Sequence, residues 1–446
     1  MPLPPGPKTP ALLQMAHWIL NPFSLMDRYA QAYGDCFTVR VAQNMKPMVF
    51  LSHPQDLQLL LTQDEAKLFD TPGELNDLFE PFLGPQSVIA LSGDRHRRMR
   101  QLMMPPFHGE RMRSYGHLIQ EITETVMQAW PLDRTFPLRE SMQLISMRVI
   151  LSAVFGLAEG PRYQQLETLL GNLLNNMSNP ISVSLLYFPV LRQDWGSLSP
   201  WGRFVRQRQA INDLIYAEIA ERRSHPDANR SDILSLLMSA RDEAGNPMTD
   251  AELRDELMTL LLAGHETTAT ALTWALYWIH QNPPVRTQLL QELREFASNP
   301  DPSDLFRLPY LNAVCCETLR IYPVGMLTFP RVVRSPVTFM GQTVDPGTVV
   351  IGSIYLAHRR PERYPQPNQF DPDRFLNEQF SPFEYLPFGG GNRRCVGMAF
   401  AQFEMKVVLG TILRQCELAI AETPPVKPQR RGLTAGPTLI RMQVQA

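Results

Sequence analysis

Apolar residues recur along this chain at two spacings, one every three or four positions and one every second position, and the first dominates. Thr249-Asp250-Ala251-Glu252 has the S/T-x-x-E form of a capping box, and the run behind it stays helical and apolar to about Gln281, before Pro283. At 1.5 Å per residue, about thirty residues make a helix roughly 45 Å long, enough to cross a whole domain. A second helix follows Gly397 to about Gln415, with Phe400, Phe403, Val407, Val408, Ile412 and Leu413 at helix-face spacing. Residues from about Met112 to Arg241 read as successive amphipathic helices broken near Gly156, Asn179-Pro180 and Pro189, and Leu25 to Tyr33 as a shorter one. Alternation at Phe37–Val41 and Met48–Leu51 predicts a small sheet. Val344–Val350 and Arg431–Pro437 read as hairpins, the second with a tip that closes a pocket. The pattern predicts a mostly α fold with small β-sheets.

Composition changes this picture little. By length alone 446 residues would suit two or three domains. With 44% hydrophobic residues, 19% charged residues and a net charge of -2, the chain reads as a soluble globular protein with no pull toward nucleic acid. The 40 prolines are scattered among apolar runs, as rigid loop corners are. The five cysteines (Cys36, Cys315, Cys316, Cys395, Cys416) contain no C-x-x-C pair, which fits a reducing compartment. Met1-Pro2-Leu3-Pro4-Pro5-Gly6-Pro7-Lys8 lacks the basic and apolar regions of a signal peptide. No apolar run reaches the roughly 20 residues that span a bilayer, so a cytoplasmic protein without a transmembrane anchor is expected. Leu12, Leu13, Met15, Ala16, Trp18, Ile19 and Leu20 form a short apolar segment able to border a membrane surface or a substrate entrance, with core packing the expected use.

Candidate chemistry concentrates at Pro387-Phe388-Gly389-Gly390-Gly391-Asn392-Arg393-Arg394-Cys395-Val396-Gly397. Three consecutive glycines let a backbone turn sharply or let something flat approach it. Cys395 precedes a helix N-terminus, where free N–H groups and the helix dipole favour a thiolate. Zinc and iron–sulfur sites take several Cys or His ligands at short spacings, whereas one thiolate suits an iron whose equatorial ligands come from a porphyrin. A bare G-G-G-x-x-x-C also fits a glycine turn before a core helix with an incidental buried cysteine.

A polar patch, Ala263-Gly264-His265-Glu266-Thr267-Thr268, interrupts the long helix. An interior glycine costs about 1 kcal/mol against alanine, and a carboxylate in apolar surroundings costs more unless paired. Ala269 stands where H-E-x-x-H requires a second histidine, which removes that zinc motif. A threonine-rich kink whose hydroxyls bond back to carbonyls four residues earlier is the structural alternative.

Phe388, Gly391, Arg393, Cys395 and Gly397 together reproduce F-x-x-G-x-R-x-C-x-G, and with them the chain resembles the cytochrome P450 monooxygenases. Three further motifs stand in that family's order: His96-x-x-x-Arg100, the A-G-H-E-T run from Ala263 to Thr267, and Glu317-x-x-Arg320 followed downstream by Phe370 to Phe375. The resemblance implies one large domain over residues 1–446, with haem b (iron protoporphyrin IX) between the long helix and the cysteine-loop helix. It implies Cys395 as axial ligand, Phe388 beside the sulfur, and His96, Arg100, Arg331 and Arg393 on the haem propionates, His96 standing where tryptophan is common. Gly264 would make room for dioxygen, Thr267 would hydrogen-bond it, and Glu266 would help bring protons. Glu317, Arg320 and Arg374 would form a structural triad, and His358 would make a structural hydrogen bond.

By the same resemblance, Leu78, Phe79, Phe82, Leu83, Leu262, Ala263, Val324, Met326 and Leu327 face the substrate, under a lid from Leu169 to Val190. These positions are apolar and offer no charged clamp. Arg97 and Arg98 would help form a positive surface for an acidic electron donor. The implied reaction inserts one atom of dioxygen into a hydrophobic substrate, by hydroxylation or epoxidation of a fatty acid, terpenoid or hydrocarbon, as cyanobacterial members would. A ferredoxin or flavodoxin with a separate NAD(P)H reductase would supply electrons to a monomer. The alternatives are a peroxide-dependent fatty-acid hydroxylase, which would dispense with Glu266 and Thr267, and a non-catalytic haem-thiolate sensor or carrier.

Overall fold

Helices and strands follow the two spacings closely. The computed structural model describes residues 3–42, 45–63, 68–76, 79–107, 111–156, 160–177, 188, 190, 192–227, 230–296, 301–421, 425–431 and 434–445. In chain order the helices are α1 (Ala11–Leu20), α2 (Pro22–Tyr33), α3 (Pro54–Thr62), α4 (Glu80–Leu83), α5 (Gly93–Met103), α6 (Arg111–Gln128), α7 (Leu138–Phe155), α8 (Pro161–Met177), α9 (Pro200–Ser224), α10 (Ile233–Ser239), α11 (Asp250–Gln281), α12 (Pro283–Glu295), α13 (Pro309–Ile321), α14 (Ile354–Ala357), α15 (Arg374–Asn377) and α16 (Met398–Gln415).

The strands are β1 (Cys36–Val39), β2 (Met48–Leu51), β3 (Phe69–Asp70), β4 (Phe136–Pro137), β5 (Arg331–Val333), β6 (Val337–Phe339), β7 (Gln342–Val344), β8 (Val349–Gly352), β9 (Leu418–Ile420), β10 (Pro428–Arg431), β11 (Thr434–Pro437) and β12 (Arg441–Val444). Five of them form one sheet in the order β1-β2-β8-β5-β3, and three form another, β4-β12-β9. β6-β7 and β10-β11 are separate antiparallel ribbons.

α11 begins at the expected capping box. Thr249 Oγ1 accepts from the Glu252 N–H at 3.2 Å, and Glu252 Oε2 accepts from the Thr249 N–H at 2.8 Å. Its 32 residues run through the main core, with α7 and α16 among the elements packed on it. Near its start, Asp255 accepts from the Gln86 N–H at 2.8 Å, Glu256 from the Val88 N–H at 2.6 Å, and Thr259 bonds Ser87 at 2.7 Å. The loop leading into α5 is thereby fixed to α11. A second apolar cluster joins Trp18, Phe37, Phe50, Met326 and Tyr355, and a third lies against the five-stranded sheet.

One hairpin falls elsewhere than the sequence pattern predicts. Val344 and Val349 belong to strands that do not pair with each other: β7 pairs with β6, and β8 joins β2 in parallel and β5 in antiparallel. Met340 and Gly341 have positive φ angles of 45° and 76°, which suits a two-residue hairpin turn. The turn at Asp345-Pro346-Gly347 instead carries the chain from one sheet to another.

In the N-terminal segment, Met15 and Trp18 are buried while Leu12, Leu13 and Leu20 stay exposed. In the expected lid, Leu173 is buried in the main core and Phe188 packs on the second cluster. Ile181, Val183, Leu185, Leu186 and Tyr187 lie outside the described residues, as does the Gly432-Leu433 tip of the β10-β11 ribbon. No described helix is long and apolar enough to cross a membrane.

Candidate functional site

A cavity of about 890 Å³ separates the middle of α11 from the cysteine loop. Ala263, Gly264, Glu266, Thr267 and Ala271 line it from α11, and Phe388, Gly389, Gly390, Arg393, Cys395 and Gly397 from the loop. Ala263 is exposed although it sits mid-helix inside the core, and Cys395 is exposed although it lies deep in the protein. Both open onto this void.

The loop holds its sulfur from the backbone. The Cys395 N–H donates to the Phe388 carbonyl at 3.0 Å, and the Gly397 N–H, just ahead of α16, donates to the sulfur. Burial pushes the thiol up, and Gly397, Arg100 and Arg394 pull it down. An anionic sulfur here therefore needs a further cation. Among the described residues no group of three or more His, Cys, Asp or Glu side chains can hold a metal ion, so the sulfur suits a metal that brings its other ligands with it. Gly389 and Gly391 have φ angles of 68° and 64°, and a Cβ on Gly390 would come within 2.8 Å of Leu61 Cδ1. Only glycines let the backbone turn this way beneath the cavity.

Positive charge gathers beside the loop. His96, on α5, is 2% exposed and lines the cavity. Burial, then the charges of Arg393, Arg100 and Arg331, lower its pKa to about 3, so the imidazole is neutral and can still donate from one nitrogen. Three guanidiniums converge on a buried imidazole, and no carboxylate is among the groups acting on it. A flat ligand carrying acidic groups fits such a place, and haem with its two propionates is one.

Arg393 donates to the carbonyls of Val88 at 2.9 Å, Thr71 at 2.7 Å and Leu91. Arg331 donates to the Phe329 carbonyl at 2.8 Å and Arg100 to the Arg394 carbonyl at 2.6 Å. These bonds fix Arg100 and Arg393 at one end of the cavity, while Arg331 is fully buried and does not itself line it.

Comparison with known families decides what this assembly is: the cytochrome P450 family model matches residues 2–444. The chain belongs to the cytochrome P450 family. It is 36% identical over 438 residues to cytochrome P450 135B1 of Mycobacterium tuberculosis, covering 98% of this chain and 90% of that one. It is 34% identical over 437 residues to cytochrome P450 138 of the same species, covering 98% and 94%. Among solved structures, cyanobacterial CYP120A1 with retinoic acid bound superposes with a TM-score of 0.85 at 24% identity, covering 100% of this chain and 99% of the other. The cytochrome P450DA haem domain gives 0.87 at 20%, covering 100% and 97%. These two share the fold. As a member of the family the chain is a haem-thiolate monooxygenase with iron protoporphyrin IX as cofactor.

Within this P450 the polar patch of α11 is tied to α7. Arg139 donates to Glu266 Oε1, and Gln143 Nε2 donates to Glu266 Oε2 at 3.1 Å. His265 Nε2 lies 3.0 Å from the Gln143 carbonyl, and the ring is buried away from any metal-binding group among the described residues. Thr267 donates its hydroxyl to the Ala263 carbonyl four residues back. A Cβ on Gly264 would meet Ile150 Cδ1 at 2.9 Å. What the absent side chain makes room for is therefore α7, while the Gly264 backbone borders the cavity.

The structural triad is present and deeply buried. Arg320 Nε and Nη2 donate to Glu317 at 2.6 and 2.8 Å, with both side chains fully buried, and Arg374 Nε lies 3.6 Å from Glu317 Oε1. His358 accepts from the Leu386 N–H at 2.9 Å, which places it in the scaffold of the cysteine loop.

Phe79, Phe82, Leu83, Leu262, Val324, Met326 and Leu327 all line the cavity. Leu78 lies outside the described residues. The expectation for Arg98 fails: its guanidinium is held by Asp242 at 2.6 Å and Glu252 at 2.7 Å, so its charge is spent inside the protein. Arg97 is exposed and lies 3.3 Å from Asp94. Trp18, from the segment expected to pack in the core or border a substrate entrance, and Arg431, from the expected pocket-closing hairpin, both line the cavity; sequence reasoning missed Arg139 and Gln143, and it missed Lys46 and Arg430, which also line it. Those residues sit in segments without a local motif.

Proposed function

We propose that this P450 oxidises a hydrophobic small molecule (a fatty acid, terpenoid or hydrocarbon) by inserting one atom of dioxygen into a C–H or C=C bond. The observation that carries the reading is one cavity that joins the Cys395 sulfur, the Thr267 hydroxyl and an apolar wall. Haem held by Cys395 supplies the redox chemistry that activates dioxygen. Phe388 would lie beside the sulfur, Arg100 and Arg393, with Arg331 buried behind them, would balance the propionate charge, and the neutral His96 would donate a hydrogen bond to one of them. Phe79, Phe82, Leu83, Val324, Met326 and Leu327 orient the substrate and exclude water.

The small side chain of Ala263 and the bare backbone of Gly264 border the reacting centre from α11. Thr267 Oγ1, which now donates to the Ala263 carbonyl, would turn its proton toward the cavity, and Glu266, held by Arg139 and Gln143, would replenish it. Glu317, Arg320 and Arg374 brace the cysteine loop and take no part in the chemistry. Residues 1–446 act as one domain, as a cytoplasmic monomer, with electrons from a ferredoxin or flavodoxin and a separate NAD(P)H reductase. The retinoic acid bound to cyanobacterial CYP120A1 supports an isoprenoid or fatty chain as substrate.

The test is turnover of the purified holoenzyme with surrogate ferredoxin, reductase and NADPH, on a panel of fatty acids, terpenes and alkanes. Oxygenated product that scales with NADPH and needs the redox partners is expected. Product formed only with added peroxide would favour the peroxide-driven reading, and none under either condition a carrier or sensor.

A further inference from the structure

The apolar wall is not the whole cavity, because the β10-β11 ribbon brings a cation to it. Arg431, on β10, lines the cavity and is partly buried. Its Nε and Nη2 reach the Pro437 carbonyl only at 3.4 Å each, and its Nη1 has no protein partner among the described residues. The carboxylate that acts on it is Glu266, opposed by Arg139. That carboxylate is already engaged on both oxygens, by Arg139 and by Gln143. Among the described residues Arg431 therefore forms no ion pair of its own, although it lines a cavity whose wall is mainly apolar.

Holding a half-buried cation without an ion pair of its own is costly, and a bound anion would remove that cost. A planar guanidinium with a free nitrogen edge matches a carboxylate in particular. An inorganic anion would balance the charge and leave the apolar wall unfilled. We propose that Arg431 is the counter-ion for the head group of the substrate, and that the substrate is an amphipathic acid, a long hydrocarbon or isoprenoid chain ending in a carboxylate. This narrows, and rests on, the monooxygenase reading above.

The test compares acids with their methyl esters on the holoenzyme, using laurate, palmitate and retinoic acid as probes, with binding read by the spin-state shift and by calorimetry. At least one acid is expected to bind about tenfold tighter than its ester, the size of a charge-assisted hydrogen bond. Raised salt should narrow the gap. Arg431→Gln should bring the acid down to the affinity of its ester, and Arg431→Lys should restore part of the difference. Equal affinity of acid and ester in the unaltered enzyme, no binding by any acid, or an acid preference that survives Arg431→Gln would each overturn the assignment. If esters and alcohols are bound and oxidised as well as acids, the acid assignment falls and the monooxygenase reading stands. If no probe of either kind is oxidised with the redox partners present, it is that reading which falls.

Discussion

Arg139, in the first turn of α7, donates to the carboxylate of Glu266 in the middle of α11, and 127 positions of chain separate the two. Their side chains are 13% and 11% exposed, so the pair is largely removed from water. Taking away one partner of a buried pair costs about 3–5 kcal/mol, because the other charge is left uncompensated. Arg139→Gln should lower the unfolding free energy by that order. The double variant Arg139→Gln with Glu266→Gln should recover most of the loss, as read from denaturant unfolding of the four proteins in the cycle.

Thr267 acts one residue further on, and among the described residues its hydroxyl bonds only to its own helix. Thr267→Ala should keep haem and substrate affinity and divert electrons into hydrogen peroxide. The ratio of peroxide released to NADPH consumed measures this, and a ratio equal to that of the unaltered enzyme would remove Thr267 from the mechanism.

Gly264 and Ile150 meet where α7 and α11 approach. Gly264→Ala pushes a methyl to within 2.9 Å of Ile150 Cδ1, an overpacking that costs about 1–3 kcal/mol. Combining it with Ile150→Ala vacates the space the methyl needs. Thermal unfolding should show Gly264→Ala to be less damaging in that background than alone.

Glu404, on α16, is buried, with Oε1 unpartnered among the described residues, and burial raises its pKa from an ordinary 4.5 to about 8 against a hydrogen bond from Ser146. The folded protein therefore holds this proton more tightly than the unfolded chain does. Its contribution is fully present below pH 4.5 and is lost as pH rises through about 8. The slope across that window is about 1.4 kcal/mol per pH unit. Glu404→Gln should flatten this part of the stability–pH curve and be the more stable form on the alkaline side.

Features written into one short stretch are legible in the amino-acid order. The Thr249–Glu252 capping box, the glycine turn ahead of Cys395 and the Glu317–Arg320 pair each depend on spacing along a few residues, and all three are where the spacing puts them. Pairings across the chain are not legible in that way. Arg98 reads as part of an exposed basic run, yet Glu252 binds it through Oε1 while capping α11 through Oε2. A charged side chain states what kind of partner it needs and leaves open which one. β8 departs from the expected hairpin for the same reason, since a short apolar strand fits several neighbours and burial between β2 and β5 selects among them. The apolar wall is visible in the sequence and the cations Lys46 and Arg430 are not, because they reach the cavity only once the sheets are assembled.

A bond from the Cys395 sulfur to haem iron underlies the proposed oxygen chemistry, and the reduced, carbon-monoxide-bound absorption spectrum tests that bond most directly. The unaltered protein should show its main band to the red of histidine-ligated haem proteins, and Cys395→Ser should lose that band. A spectrum of the histidine-ligated kind, or a thiolate band that persists in Cys395→Ser, would contradict it.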